Sequence, residues 1–332
     1  MAAMALALTG CSREPWHLTG KTMGTTYSIK VVAPAEGTGP ERLKAAIDNE
    51  LGRINALMST YIPDSELSRF NRSRSIDWFE VDPSVVDVVE AAQRTSAISD
   101  GAFDATVGPL VELWGFGSSE ARPSPPPQAQ IDAALRNVGF DTVSTREDPP
   151  ALRKLLPEIE LDLSALAKGY AVDRIDWILE NGGHTRYMIE VGGEVKTRGL
   201  NASDEPWRIA LERPVATERS VYAVLELSGE AIATSGDYRN FFEFDGRRYS
   251  HTLDPHTGWP VVHDLASVTV VDSSAMEADA MATALLVLGP DKGMRLANER
   301  RIAAFFMIRD GDRILTRHSQ AFEPYLTNGS SR

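Results

Sequence analysis

Glu277-Ala278-Asp279-Ala280-Met281-Ala282-Thr283-Ala284-Leu285 reads as an apolar helix carrying one carboxylate and one hydroxyl at i and i+4. That spacing puts both oxygens on one helical face. Hard cations such as Mg2+ take oxygen ligands of this kind. Upstream, Ser250-His251-Thr252-Leu253-Asp254-Pro255-His256-Thr257-Gly258 offers an imidazole and a carboxylate in a turn containing Pro and Gly. A divalent cation beside a general base points to phosphoryl chemistry. Each piece also has a plainer reading. Asp279 is then a solvated or capping residue, and Thr283 a hydroxyl bonded back to its own helix. The small residues flanking Asp279 permit close approach by another backbone, and the rest of the chain decides between the two readings.

Outward from that helix, Val268 to Val271 reads as the strand before it. Ile302 to Ile308 and Arg313 to Thr316 read as a closing hairpin around Asp310-Gly311. Earlier strand-like runs are Tyr187 to Val191, Trp207 to Leu211, Val221 to Leu227 and Ala231 to Thr234, with Ser164 to Glu180 helical before them. Thr25 to Ala33 alternates as a strand, with Tyr27, Ile29 and Val31 on one face. Glu41 to Met58 is a helix whose apolar stripe is Leu43, Ile47, Leu51, Ile54 and Met58. Asp82-Pro83-Ser84 opens the next helix, through Val85, Val88, Val89 and Ala92. Gly115 to Pro127 is a Gly- and Pro-rich loop. Strands and helices mingle without strict alternation, and no repeat is visible, so an α+β fold of mixed sheets with packed helices is expected.

The chain has 332 residues, 42% hydrophobic and 24% charged, enough for a substantial core. A net charge of -13 argues against a nucleic-acid partner. An anionic ligand would need local positive groups or a bound cation. The single cysteine, Cys11, excludes an intramolecular disulfide. It follows a short apolar run in Leu8-Thr9-Gly10-Cys11, which resembles the lipobox of bacterial lipoproteins. A lipid anchor at Cys11 and export to the periplasmic face of the inner membrane are therefore expected. The alternative is a free thiol in a disordered N-terminus. No Lys or Arg precedes the run, as a signal peptide would have, and a start codon farther upstream would account for that. No later stretch is long and apolar enough to span a bilayer. Residues 1–20 read as a truncated lipoprotein signal and tether, 21–325 as the working domain and 326–332 as a disordered tail.

Other segments carry weaker signals. Met23-Gly24 opens the first strand, either as an ordinary turn or as close backbone approach to a ligand. Tyr61 ends a long helix and could present an aromatic face to a ring. Gly101-Ala102-Phe103-Asp104 could line a pocket, with Asp104 equally an N-cap. In Asp162-Leu163-Ser164-Ala165-Leu166-Ala167-Lys168-Gly169-Tyr170, Lys168 sits among small residues where few groups could satisfy its charge. A phosphate would satisfy it; so would extension of the side chain to the surface. Gly192-Gly193 before Glu194 suits a turn, a bulge or a cofactor. Thr234-Ser235-Gly236-Asp237-Tyr238-Arg239 resembles a turn with exposed amides, either an anion site or a plain hairpin turn.

Taken in order, Met-Gly-Thr-Thr-Tyr from Met23, Ala-Phe-Asp from Ala102, Asp-Leu-Ser-Ala-Leu-Ala-Lys-Gly-Tyr-Ala from Asp162 and Val-Gly-Gly-Glu from Val191 resemble the ApbE family, the FAD:protein FMN transferases. Thr-Ser-Gly-Asp-Tyr from Thr234, His-x-x-Asp-Pro-x-Thr-Gly from His251 and Ala-Asp-Ala-x-Ala-Thr-Ala-Leu from Ala278 extend the resemblance, which runs from about Thr22 to Ala284. It implies a T-fold-related α+β domain, FAD as substrate, and Mg2+-dependent transfer of FMN to a Thr or Ser hydroxyl of an acceptor protein, with AMP released. The acceptor would belong to a membrane redox complex. It also implies roles. Asp279, Thr283 and the Ala165 carbonyl would ligate Mg2+. Lys168 would neutralise a phosphate. Met23, Tyr61, Ala102, Phe103, Asp104, Asp162 and Leu253 would line the FAD pocket. His251 would take the acceptor's proton, with Asp254 orienting its turn. Two other readings use the same residues: an FAD pyrophosphatase giving FMN and AMP, and a non-catalytic FAD-binding lipoprotein. The intact Asp279, Thr283 and His251 argue against mere binding.

Overall fold

Tyr27, Ile29 and Val31 do turn one face of their strand into the core, all three almost fully buried. They belong to a computed structural model that describes residues 15–326 apart from 33, 36, 38, 119–123, 215–219, 239 and 312. Along the chain, β1 (Trp16–Thr22) and β2 (Thr25–Val31) are followed by α1 (Pro40–Met58), α2 (Glu66–Arg72), β3 (Phe79–Glu80) and α3 (Pro83–Ile98). Next come α4 (Gly108–Trp114), α5 (Gln128–Leu135), β4 (Val143–Glu147), β5 (Pro150–Lys154) and α6 (Ser164–Asn181). Then follow β6 (Tyr187–Val191), β7 (Glu194–Arg198), β8 (Trp207–Glu212), β9 (Val221–Leu227), β10 (Ala231–Gly236), β11 (Phe241–Phe244), β12 (Arg247–Ser250) and β13 (Leu265–Asp272). The last are α7 (Ala275–Arg300), β14 (Ala303–Asp310) and β15 (Arg313–His318). The α+β expectation holds.

Eight strands form one antiparallel sheet in the order β1-β2-β6-β7-β10-β13-β14-β15. The interior strand β13 is buried from Leu265 to Val271, side chains of both faces included. A strand covered on both sides reads as a continuous run rather than an alternation, which is why Val268 to Val271 was legible. One face carries the large core, built with α1, α3, α6 and α7. The other is covered by the β8–β9 hairpin and the C-terminal turn, through Leu211, Leu225, Leu227, Phe305 and Phe322. A third cluster joins α4 and α5 to β12 and the loop after it, through Leu110, Trp114, Ile131, Tyr249 and Leu253.

Helix starts follow local chemistry. Asp82 caps α3 by accepting from the Ser84 amide at 2.8 Å, with Pro83 in the first turn. The α1 stripe is buried as expected. Two expectations fail. Residues 16–20 are not tether but part of β1, paired with β2 from Trp16–Val31 to Thr22–Thr25; the strand is mostly polar, so its sequence signal is faint. Thr234 to Gly236 is not a turn but the end of β10, paired with β13. The Cys11 lipobox, Arg239 and residues 327–332 lie outside the described residues. Among the described residues no helix is long and apolar enough to cross a membrane.

Among the glycines of the described residues, the closest approach to another backbone lies between α6 and α7. A Cβ on Gly169 would sit 2.3 Å from the Ala275 carbonyl oxygen. Replacing Gly169 by Ala should therefore force the helices apart and cost about 1–3 kcal/mol. Urea unfolding checks this, and an unchanged midpoint would refute the contact.

Candidate active site

The closeness of α6 and α7 brings together residues far apart in sequence. Asp173 on α6 accepts from the Ser274 hydroxyl at 2.7 Å and from the Ala275 and Met276 amides at 2.8 and 3.0 Å. These are the otherwise orphaned donors at the start of α7. Ser274 itself caps the helix by accepting from the Glu277 amide. One turn further on, Asp279 is buried, 3% exposed. Its carboxylate accepts from the Gly169 amide at 3.2 Å and from Lys168 Nζ at 3.3 and 3.4 Å. The Thr283 hydroxyl shares a 2.8 Å hydrogen bond with the Ser235 hydroxyl at the end of β10.

Lys168 has carboxylate partners that the sequence did not reveal. Its ammonium lies between Asp279 and Glu194, 3.0 Å from Glu194 Oε1. Glu194 begins β7 directly after the left-handed Gly192 and Gly193, which close the β6–β7 hairpin. Glu194 is 3% exposed, and its Oε2 has no hydrogen-bond partner. Burial pushes the Glu194 carboxyl up to about 8 and raises Asp279 as well. Burial alone would depress Lys168, but the facing carboxylates outweigh it and hold the ammonium above the ordinary lysine range.

One buried ammonium thus faces two buried carboxylates. Such an excess of negative charge is costly unless a proton or a cation offsets it. The nearby oxygens are hard: the Asp279 carboxylate, the Thr283 hydroxyl and the Ala165 carbonyl. In a regular helix the Gly169 amide would serve the Ala165 carbonyl alone; here it also donates to Asp279. Among the described residues no three His, Cys, Asp or Glu side chains gather into a metal cluster. A site with a single ligating carboxylate suits Mg2+, which keeps waters and binds through few protein groups. The residues present therefore fit that ion.

A cavity of about 470 Å³ opens over this cluster. Every sequence-derived candidate lines it except Met23: Tyr61, Ala102, Phe103, Asp104, Asp162, Ala165, Lys168, His251, Leu253, Asp279 and Thr283. Met23 instead holds a left-handed position (φ 48°) in the β1–β2 turn and packs on the main core. Tyr61, 61% exposed, sits on the rim with its hydroxyl 3.3 Å from the Phe116 carbonyl. Asp104 is both wall and cap: its carboxylate accepts from the Thr106 amide and hydroxyl at 2.7 and 2.6 Å. Asp162 accepts from the Ser164 amide at 2.8 Å, at the start of α6.

His251 follows β12 immediately. Its Nδ1 is 3.0 Å from the Asn240 carbonyl, just before β11. A carbonyl only accepts, so Nδ1 carries the proton and Nε2 keeps its lone pair. Burial holds the imidazole below its usual 6.5, so it is neutral at physiological pH. Asp254 does not orient His251; its carboxylate accepts from the His256 amide at 2.9 Å and its carbonyl from the Thr257 and Gly258 amides, shaping the next turn. Asn240 and Asp173 were missed from sequence, and Glu194 and Ser235 stood in candidate segments without a role of their own. Glu194 had a usable signal, since a lysine among small residues requires a counter-charge and a Gly-Gly hairpin can deliver one.

The ApbE family's sequence profile matches residues 23–306. The curated FAD:protein FMN transferase of Vibrio cholerae is 43% identical over 328 residues, covering 98% of this chain and 97% of that protein. The solved flavin transferase ApbE from Vibrio cholerae superposes with TM-score 0.87 at 43% identity, covering 94% of this chain and 99% of that one. The Pseudomonas stutzeri flavinyl transferase ApbE in its apo form gives TM-score 0.86 at 40% identity, covering 98% and 100%.

The Asp173 carboxylate is the mechanical link between the two helices. Replacing Asp173 by Ala orphans two amides and should cost about 1–3 kcal/mol. The lowered midpoint should be partly recovered by Asp173→Asn in chemical denaturation; equal stability of all three proteins would remove the link.

Proposed function

The chain belongs to the ApbE family and works as a flavin transferase on FAD and an acceptor protein, and we propose that His251 and the Lys168–Asp279 cluster perform that transfer as a metal-assisted phosphoryl substitution. The observation that carries this reading is a neutral, correctly tautomeric histidine lining the same cavity as a buried cation-ready carboxylate. Tyr61, Phe103 and Leu253 offer FAD its apolar walls. A Mg2+ held by Asp279, Thr283 and the Ala165 carbonyl would neutralise charge on the FAD pyrophosphate. Lys168 adds a second positive charge at the same place. The Thr or Ser hydroxyl oxygen of the acceptor attacks the riboflavin-side phosphorus while His251 Nε2 removes its proton. The new bond is O–P; the P–O bond to the adenylyl phosphate breaks, and AMP leaves with the electron pair. The chain's own contribution is positioning and charge placement.

We extend the proposal to location. The Leu8-Thr9-Gly10-Cys11 segment supports lipidation at Cys11 and tethering on the periplasmic face of a bacterial inner membrane. There the chain would meet acceptor subunits of membrane redox complexes.

Incubating the protein with FAD, Mg2+ and an acceptor-motif protein should give a fluorescent flavin adduct on a denaturing gel, lost when the acceptor Thr becomes Ala. AMP release without any adduct would refute transfer in favour of hydrolysis. Asp279→Ala should abolish the Mg2+ dependence of turnover. His251→Ala should still bind FAD but transfer roughly 100- to 10,000-fold more slowly. The pH profile carries a sign. A base held below 6.5 is active when unprotonated, so the rate should fall only on the acid side, with its midpoint under 6.5. A midpoint above that value would remove His251 as the base.

A further inference from the structure

The cation site leaves one difficulty. The Lys168 ammonium already lies over both oxygens of Asp279, at 3.3 and 3.4 Å. These are the lone pairs a divalent cation would use. Two positive charges on one carboxylate repel each other, so the cation can enter only if Lys168 gives way.

Glu194 supplies the place for it to go. Lys168 is already closer to Glu194, 3.0 Å from Oε1. The second oxygen, Oε2, is buried and has no partner, so a further acceptor stands ready for the ammonium. The path is also clear. A Cβ on Gly192 would lie 3.1 Å from Lys168 Cδ and 2.9 Å from Thr25 Cγ2. A side chain at Gly192, which is left-handed as well (φ 64°), would crowd the lysine stem. Glu194 itself is anchored, because its backbone pairs with Val191 across the tight β6–β7 hairpin.

We propose that Glu194 is a positioning residue that draws the Lys168 ammonium off Asp279 when a divalent cation binds there, so that cation and ammonium stand side by side instead of competing for one carboxylate. This rests on the cation site proposed above. Lys168 acts as a resident stand-in for the metal, and Glu194 is where it is parked on exchange. Glu194 touches neither the reacting atoms nor the cation; it acts through Lys168.

The test reads cation binding rather than turnover. Mg2+ alone is titrated calorimetrically into the FAD-free full chain, its E194Q and K168M variants and the double variant, each first shown to melt cooperatively. E194Q should weaken Mg2+ binding by about tenfold, the size of coupling usual between touching groups. K168M should tighten it, because the competitor is gone. In the K168M background, E194Q should then have little further effect. Equal weakening by E194Q in both backgrounds would make Glu194 a simple counter-charge or ligand and overturn the proposal; so would no effect in either. If E194Q fails to fold, Glu194→Asp, whose shorter arm cannot follow the lysine, reads the same coupling. Mg2+ binding without coupling sinks this inference alone, whereas absence of Mg2+ binding to the unaltered chain sinks the cation site with it.

Discussion

The contact on which the site depends is the one between α6 and α7, made where Gly169 meets the Ala275 carbonyl. The two helices lie on one face of the eight-stranded sheet, and Asp173 fastens the start of α7 to the middle of α6. That single juxtaposition brings Ala165 and Lys168 to Asp279 and Thr283, more than a hundred positions away in the chain. It explains why the residues around Asp279 are small. Ala278, Ala280, Ala282 and Ala284 are fully buried, on the faces of α7 that meet α6 and the sheet. The alanines that look like a plain helix former in the sequence suit a helix packed closely on more than one side.

Electrostatics then sets what the contact can do. The chain carries a net charge of -13, and a dinucleotide carrying a pyrophosphate adds more negative charge to whatever site holds it. Lys168 alone cannot balance that, because two buried carboxylates already share it. The imbalance makes sense for a site completed by a divalent cation, and makes little sense for one that only stores an apolar ring. A buried cluster that must take up a proton or a cation to balance its charge is a poor contributor to stability. Its presence beside a cavity rather than in the sealed core argues that it is kept for the ligand.

The sequence was most legible where one element decides its own structure. The α1 stripe, the Asp82 cap and strands β6 and β9 fall where periodicity and capping put them. It was least legible where tertiary partners decide. Polar β1 is a strand because β2 offers it a ladder, and Thr234 to Gly236 is a strand because β13 does. The same division runs through the site. Individual residues such as Asp279 and His251 were visible through their chemistry, and their order along the chain resembled a family pattern. Their partners were not. Ser235 and Asn240 meet their partners by proximity across the sheet or a hairpin, which no local spacing encodes, and Glu194 was signalled only by the counter-charge that Lys168 requires. Met23 is the one candidate that does not line the cavity. It lies within a motif, yet its left-handed turn conformation sends it to the core rather than to the cavity.

The two halves of the chemistry are held differently, and the difference suits the reaction. The groups proposed to hold the cation and the phosphates sit on α6 and α7, long helices locked to the central sheet, which limits how far charge must reorganise when substrate arrives. His251 and Asn240 instead flank the small β11–β12 hairpin, outside the main sheet. That hairpin is steadied by aromatic stacking, with Phe242 on Tyr249 at 5.1 Å and Trp114 on Tyr249 at 5.7 Å. Trp114 also donates to the Gly258 carbonyl, tying the loop after the hairpin to α4. The base proposed at His251 would meet the hydroxyl of a second protein, and for that it needs access from outside. Mounting it on a pinned hairpin at the cavity wall gives that access without loosening the helices that hold the charges.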